Sequence, residues 1–312
     1  MNVRRGGFFL ELQTPAKLNL FLEVLARRPD GYHEIETLMT AVTIYDSLFF
    51  AANQAGRIEF SCEWATGLAA RATRQRAAGD PAVFDDLPQG DDNLVVRALE
   101  RLRARTGVQQ GATVRLVKRI PAAAGLGGAS SDAAAAIVAA NDVWRLGWSP
   151  AQLVEFAAEL GSDIPFFLGG GAVVCRGRGE RMESVAGLPR LDVVVVRPPE
   201  GLSTPDVYRQ CQPATEPVRL EPLLNAARGG NFAEFGRLLH NRLQPAAEQL
   251  SPWVARTRRE FGRLDFLGHQ MSGSGTSYFG ICRHARHARR LAGLLRNADI
   301  GIVYSAATLP SV

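Results

Sequence analysis

Apolar and polar residues alternate with period two in several stretches, the pattern of a strand with one buried face. Across residues 14–25, Leu18, Leu20, Leu22 and Val24 alternate with Lys17, Asn19, Phe21 and Glu23. The pattern predicts a half-buried strand with Lys17 and Asn19 two residues apart on one face. Strands are also predicted at 39–46, at 57–64, where Ile58, Phe60, Cys62 and Trp64 alternate with polar residues, and at 113–120. Later apolar runs predict strands at 172–175, 192–197, 278–282 and 302–306. Helical spacing takes over between them. Ile137, Asn141 and Trp144 mark a helix over 130–146, with Gly147 in the stop position. Leu153, Phe156, Ala157 and Leu160 mark a second, capped by Ser149, opened by Pro150 and ended by Gly161. Further helices are predicted at 93–106 with Asp92 as cap, from Ser203, and at 231–239, 252–264 and 284–296. Residues 65–92 have no period and read as a long loop that the chemistry does not need. The length favours two domains, with the change placed near Gly169-Gly170-Gly171, as 1–168 and 169–312.

Between the predicted strand 113–120 and the predicted helix 130–146 lies Pro121-Ala122-Ala123-Ala124-Gly125-Leu126-Gly127-Gly128-Ala129-Ser130-Ser131. The glycines let the backbone turn sharply and let a ligand approach it closely. The first N–H groups of a helix lack internal acceptors, and the helix dipole adds partial positive charge. The segment therefore reads as a phosphate cradle; the lesser alternative is a flexible connection capped by Ser130 or Ser131. It is not a P-loop, because Ala129-Ser130 stands where Lys-Ser/Thr is required. Nor is it the dinucleotide fingerprint, whose third glycine would fall at Ser130.

Composition narrows the setting. No apolar run approaches the ~18 residues of a membrane span, and Phe8-Phe9-Leu10 is cut off by Glu11, too soon for a signal-peptide core. The four cysteines have no paired spacing and read as buried or free thiols, not as a metal site. A cytoplasmic protein is expected. The net charge of +5 suits an anionic ligand without requiring one. Among the 36 basic residues only Lys17 and Lys118 are lysines. An arginine-rich chain keeps lysine where a compact ammonium serves better than a planar fork. Taken singly, Lys17 and Asn19 fit an exposed strand face, Tyr32 and His33 fit packing after the Pro29-Asp30-Gly31 turn, and Asp163 fits a cap for a short turn at Pro165. His284 and His287 read as solvated on an arginine-rich helix.

Read together and in order, these segments change the picture. Pro15-Ala16-Lys17-Leu18-Asn19, the Gly125 loop, and Met271-Ser272-Gly273-Ser274-Gly275-Thr276 resemble the three motifs of the GHMP small-molecule kinases. Gly161-Ser162-Asp163-Ile164-Pro165-Phe166-Phe167 resembles the family's aspartate motif. Asp30-Gly31-Tyr32-His33 resembles the members whose acceptor carries cytidine diphosphate. The resemblance implies an α+β chain whose ribosomal-protein-like N-terminal domain binds ATP and whose ferredoxin-like C-terminal domain binds substrate. It implies Lys17 and Asp163 as the catalytic pair and the 121–131 loop as the holder of the ATP phosphates. Asn19, Tyr32, His33, Gly273, Ser274, Gly275 and Thr276 are implied at the acceptor. The implied reaction is ATP-dependent phosphorylation of the 2-hydroxyl of a cytidine-diphosphate-linked polyol, with Mg²⁺ as cofactor and metal ligands unassigned. A homoserine- or mevalonate-type kinase is the alternative. A nucleic-acid-binding module would suit the basic charge but lacks interleaved aromatics for base stacking.

The chain departs from the family at two points. Ala129 stands where a third glycine is usual, which would cost energy if positive φ were needed there. Asn241-Arg242-Leu243-Gln244 stands where Asn-Asp-Leu-Glu is expected, so no site is carried over to it.

Overall fold

A computed structural model describes residues 1–7, 9–68 and 87–310. Most of the aperiodic stretch 65–92 lies outside the described residues.

The first sheet is built on two long antiparallel strands, β2 (Phe9–Arg27) and β3 (His33–Asn53). They are joined by the turn at Gly31, whose φ of +85 is one that favours glycine. Around them lie β1 (Asn2–Gly6), β4 (Ile58–Trp64), β5 (Gly111–Lys118), β6 (Ala172–Gly177) and β7 (Arg181–Ser184). The order is β1-β2-β3-β5-β4, with β4 parallel to β5, and β6 paired to both β3 and β7. The edge strand β4 is covered in part by Gln89, whose side chain bonds the Cys62 N–H at 3.1 Å and the Cys62 carbonyl at 2.7 Å. The β2–β3 register shifts between Asn19 and Phe21, a bulge beside the residues of interest. Packed on this sheet are α1 (Leu94–Thr106), α2 (Gly128–Val143), α3 (Pro150–Leu160) and α4 (Ile164–Gly169).

The second sheet is antiparallel: β8 (Asp192–Arg197), β10 (Gly268–Met271), β11 (Tyr278–Cys282) and β12 (Ile302–Ala307), in the order β10-β11-β8-β12. The two-residue β9 (His240–Asn241) joins the first sheet, parallel to β2. Six helices accompany this half: α5 (Thr204–Gln210), α6 (Glu221–Arg228), α7 (Phe232–Arg237), α8 (Gln244–Leu250), α9 (Pro252–Gly262) and α10 (Ala285–Asn297). One apolar core takes Leu18, Leu20 and Phe21 from β2 together with Val193, Val195, Phe279 and Ile281 from the second sheet. The halves are cemented by that core. Because β6 and β7 continue the first sheet, the sheets change between Ser184 and Asp192.

Several local expectations need correction. The strand 14–25 is buried on both faces because helices cover one side of the sheet and the second sheet the other. Even Glu23 is fully buried, held by Arg242 at 2.7 and 2.9 Å. Burial pushes its carboxyl up, but Arg242 and the N–H groups of Val218 and Val24 outweigh burial and leave it below the usual range. The 94–106 helix is capped by Asn93, which accepts the Val95 N–H at 2.9 Å, so Asp92 lies in the turn before it. The central helix starts at Gly128, with Gly127 at its N-cap and no side-chain cap, and ends at Val143. His287 is only 5% exposed, within 3.2 Å of Asp265, and its N–H is capped by His284, so it is not solvated.

Candidate active site

A cleft of about 1070 Å³ runs between the two halves. It brings together the Lys17–Asn19 segment, the two glycine-containing segments 121–131 and 271–276, the Asp163 turn and the Tyr32–His33 turn. Both of the chain's lysines line it.

Lys17 is the centre of this cleft. Its main-chain N–H bonds the Leu126 carbonyl at 2.9 Å, which fastens β2 to the glycine loop. Its side chain is 5% exposed and donates to Asn19 Oδ1 at 2.6 Å. Asn19 Nδ2 donates in turn to Thr37 at 2.8 Å, and Thr37 donates to the Phe21 carbonyl at 2.6 Å. This relay fixes the ammonium, whose other neighbour is Asp163 Oδ2 at 3.8 Å. Asp163 precedes α4 without a side-chain capping bond and keeps 39% of its side chain exposed. The carboxylate is therefore free to meet a ligand.

The 121–131 loop has positive φ at Ala123, Gly125 and Gly127. Ala129 is not among the positive-φ residues; it lies in the first turn of α2, where alanine costs nothing. A Cβ on Gly127 would approach Lys17 Cγ at 3.0 Å and Phe167 at 2.9 Å, so only glycine lets the loop lie against both. Pro121, Ala122, Ala123, Ala124, Gly125, Gly127, Gly128, Ala129 and Ser130 line the cleft. Leu126 and Ser131 do not: both point into the interior, and the Ser131 hydroxyl is buried without a partner. Beneath the loop, Lys118 bonds Asp46 at 2.5 Å and Asp132 at 2.6 Å. Asp132 also accepts from Thr14 at 2.7 Å. Burial pushes the Asp132 carboxyl up to about 7, against the pull of Lys118.

The 271–277 turn locks onto this loop. Ser277 N–H bonds the Ala124 carbonyl at 3.1 Å, and a Cβ on Gly125 would lie 2.3 Å from the Ser272 carbonyl. Gly273 stands over Lys17 and Asn19, with 3.2 Å from its would-be Cβ to each polar atom. Gly273 and Ser274 line the cleft, whereas Gly275 and Thr276 do not. Thr276 is fully buried and donates to the Glu200 carbonyl at 2.6 Å. Asn241 holds the turn from behind, donating to the Met271 and Gly273 carbonyls at 2.8 and 2.9 Å.

At the far rim Tyr32 is 58% exposed, and His33 packs on Tyr208 with ring centroids 5.1 Å apart. Burial pushes the His33 imidazole below its ordinary value, and Arg27 adds to this. The opposite end of the cleft is lined by Cys62, Asn93, Leu94 and Leu116. Burial raises the Cys62 thiol to about 12, so it stays a thiol and serves as apolar surface. Sequence reasoning missed Thr37, Asp46, Asp132, Asn241 and Tyr208. Each sits outside a glycine-rich motif, and its part is visible only from contacts distant in sequence.

The descriptions "GHMP kinases N terminal domain" and "GHMP kinases C terminal" match residues 93–171 and 221–298. A 4-diphosphocytidyl-2-C-methyl-D-erythritol kinase of Pelotomaculum thermopropionicum is 43% identical over 91% of this chain and 93% of its own. One of Synechococcus sp. is 37% identical over 93% and 94%. A crystal structure of 4-(cytidine 5'-diphospho)-2C-methyl-D-erythritol kinase, 33% identical, superposes with a TM-score of 0.78 over 96% of this chain and 98% of that one. A homoserine kinase of Cytophaga hutchinsonii, at 17% identity and a TM-score of 0.69, shares the fold. The chain is a small-molecule kinase and belongs to the GHMP kinase family, alongside the 4-diphosphocytidyl-2-C-methyl-D-erythritol kinases.

Proposed function

We propose that this chain transfers the γ-phosphoryl group of ATP to the 2-hydroxyl of 4-(cytidine 5'-diphospho)-2-C-methyl-D-erythritol, a step toward isoprenoid precursors by the non-mevalonate route. The observation that carries the proposal is the single cleft. It joins a glycine loop at a helix N-terminus, the Lys17–Asp163 pair, and an aromatic rim at Tyr32 and His33.

Phosphoryl transfer asks for positioning and charge stabilisation more than covalent help. The loop's N–H groups and the α2 dipole hold the triphosphate. The acceptor oxygen attacks the γ-phosphorus as its proton passes to the Asp163 carboxylate. The bond from that phosphorus to the β–γ bridging oxygen breaks, and ADP leaves. Lys17 offsets negative charge on the transferring group. Asn19 keeps Lys17 aimed and acts on the acceptor through it. Tyr32 and His33 receive the cytosine, the neutral imidazole offering one donor and one acceptor. Gly273 and Ser274 bound the space for the polyol, and Gly275 and Thr276 shape the turn behind them. The base of ATP takes the end lined by Cys62, Leu94 and Leu116.

Mg²⁺ retains several waters and binds chiefly through substrate phosphates. Among the described residues no group of three or more His, Cys, Asp or Glu could hold a metal, which fits an ion held mainly by the nucleotide. Ser130, at the cleft, is the side chain that would touch it; Ser131 is turned away. When bound, Mg²⁺ would neutralise charge on the β- and γ-phosphates. Both substrates are soluble nucleotides, which suits the cytoplasmic setting expected from the sequence.

A coupled ADP-release assay with the cytidine acceptor, homoserine and mevalonate in parallel tests the reading. ADP release with the cytidine compound alone is expected. Turnover of homoserine or mevalonate without turnover of the cytidine compound would replace it with another kinase of the same fold.

A further inference from the structure

The hairpin between β6 and β7 carries three arginines, and two are occupied. Arg176 meets Glu36 at 2.8 Å and Glu183 at 3.0 Å, and Arg181 meets Glu34 at 2.5 Å. Arg178, at the tip, forms no salt bridge among the described residues, although its charge acts on Asp30 and Glu180 from a distance. Its guanidinium carbon lies 5.0 Å from the centroid of the Tyr32 ring, and the residue lines the cleft. The other arginines at this end are engaged. Arg28 bonds Asp30 and Glu34, Arg209 bonds Asp206 at 2.7 Å, and Arg27 bonds the carbonyls of Arg209 and Cys211, each at 3.1 Å.

The tip is firmly shaped. Gly177 and Gly179 have φ of +77 and +114, and a Cβ on Gly177 would meet the Glu180 carboxylate at 2.4 Å. That carboxylate accepts the Arg178 N–H at 2.5 Å. A Cβ on Gly179 would lie 3.7 Å from Ser162, the neighbour of Asp163. The tip thus stands between the Asp163 turn and the Tyr32 rim, on the acceptor side of the cleft.

A guanidinium that rests on an aromatic face without a carboxylate keeps its donors for a planar or phosphate anion. In a cytidine-diphosphate acceptor, the diphosphate links the base at the rim to the polyol at Asp163. We infer that Arg178 receives this diphosphate and selects for acceptors that carry one. The inference rests on the cytidine reading above.

The test uses the whole protein and two probes, cytidine diphosphate and cytidine, as competitors of the acceptor. Arg178→Ala is expected to weaken cytidine diphosphate about tenfold, in line with one hydrogen bond to a charged group. Cytidine binding and the KM for ATP should stay within about twofold, and Arg178→Lys should fall between. Equal weakening of both probes would mean that Arg178 only steadies Tyr32, and unchanged binding of cytidine diphosphate would also overturn the inference. If the wild type itself neither phosphorylates the cytidine acceptor nor binds cytidine diphosphate, the underlying reading fails, and this inference with it.

Discussion

Asp163 stands just before a six-residue helix, where a carboxylate ordinarily caps the first N–H groups. Here the side chain makes no such bond and turns toward Lys17 at 3.8 Å. Asp163→Asn should therefore fold and melt like the wild type, while kcat drops by ~10²–10⁴, the usual worth of a positioned base. Lys17→Arg should be severely impaired too, because the ammonium lies in a slot closed by Gly127 and Gly273 that a planar fork does not fit. Near-normal turnover of either variant at saturating ATP would remove that residue from the chemistry. His33 has a pH signature. Its folded-state value is depressed by burial below the ordinary 6.5, so the ring is neutral at pH 7. Binding that needs the neutral ring is intact above the depressed value and is lost as pH falls through it. The acceptor KM should be flat from about pH 8 to 6.5 and climb only once pH falls through the depressed value, and His33→Ala should raise it roughly tenfold. An acceptor KM that improves on acidification would contradict this.

At the scale of elements, the strand–loop–helix unit around Gly125 was legible because glycines between a strand pattern and a helix pattern have few other uses. Its support was not legible. Lys118 is fixed between Asp46 on β3 and Asp132 on α2, and Asp46 also accepts the main-chain N–H groups of Arg119 and Ile120. Removing the cation would leave two buried carboxylates facing each other. Lys118→Met should cost about 3–5 kcal/mol in a urea titration, as breaking a buried pair does. An unchanged midpoint would show that the cluster holds nothing together. Strand lengths were underread for a related reason. Alternation marks a strand only where one face meets water, and β2 and β3 are covered on both sides along much of their length. The Asn93 cap was misassigned by one residue because Asp92 and Asn93 are both good caps, and backbone geometry made the choice.

For the molecule as a whole, the two halves are one chemical unit. The apolar core runs from β2 into the second sheet, and Leu309 N–H bonds the Ala41 carbonyl at 2.8 Å, tying the C-terminal end to β3. The 271–277 turn reaches from the second sheet to the 121–131 loop, and Asn241 clasps it from β9. The 121–131 loop, the Lys17–Asp163 pair and the Tyr32–His33 rim thus share one cleft. The measurement that tests this most directly is the identity of the product. After incubation with ATP, Mg²⁺ and the cytidine acceptor, phosphorus NMR should show one new phosphate monoester, a singlet because the methyl-bearing 2-carbon carries no hydrogen, with the cytidine diphosphate linkage intact and one ADP formed per ester. ADP formed without that ester, or a phosphate added to the diphosphate chain, would contradict the account.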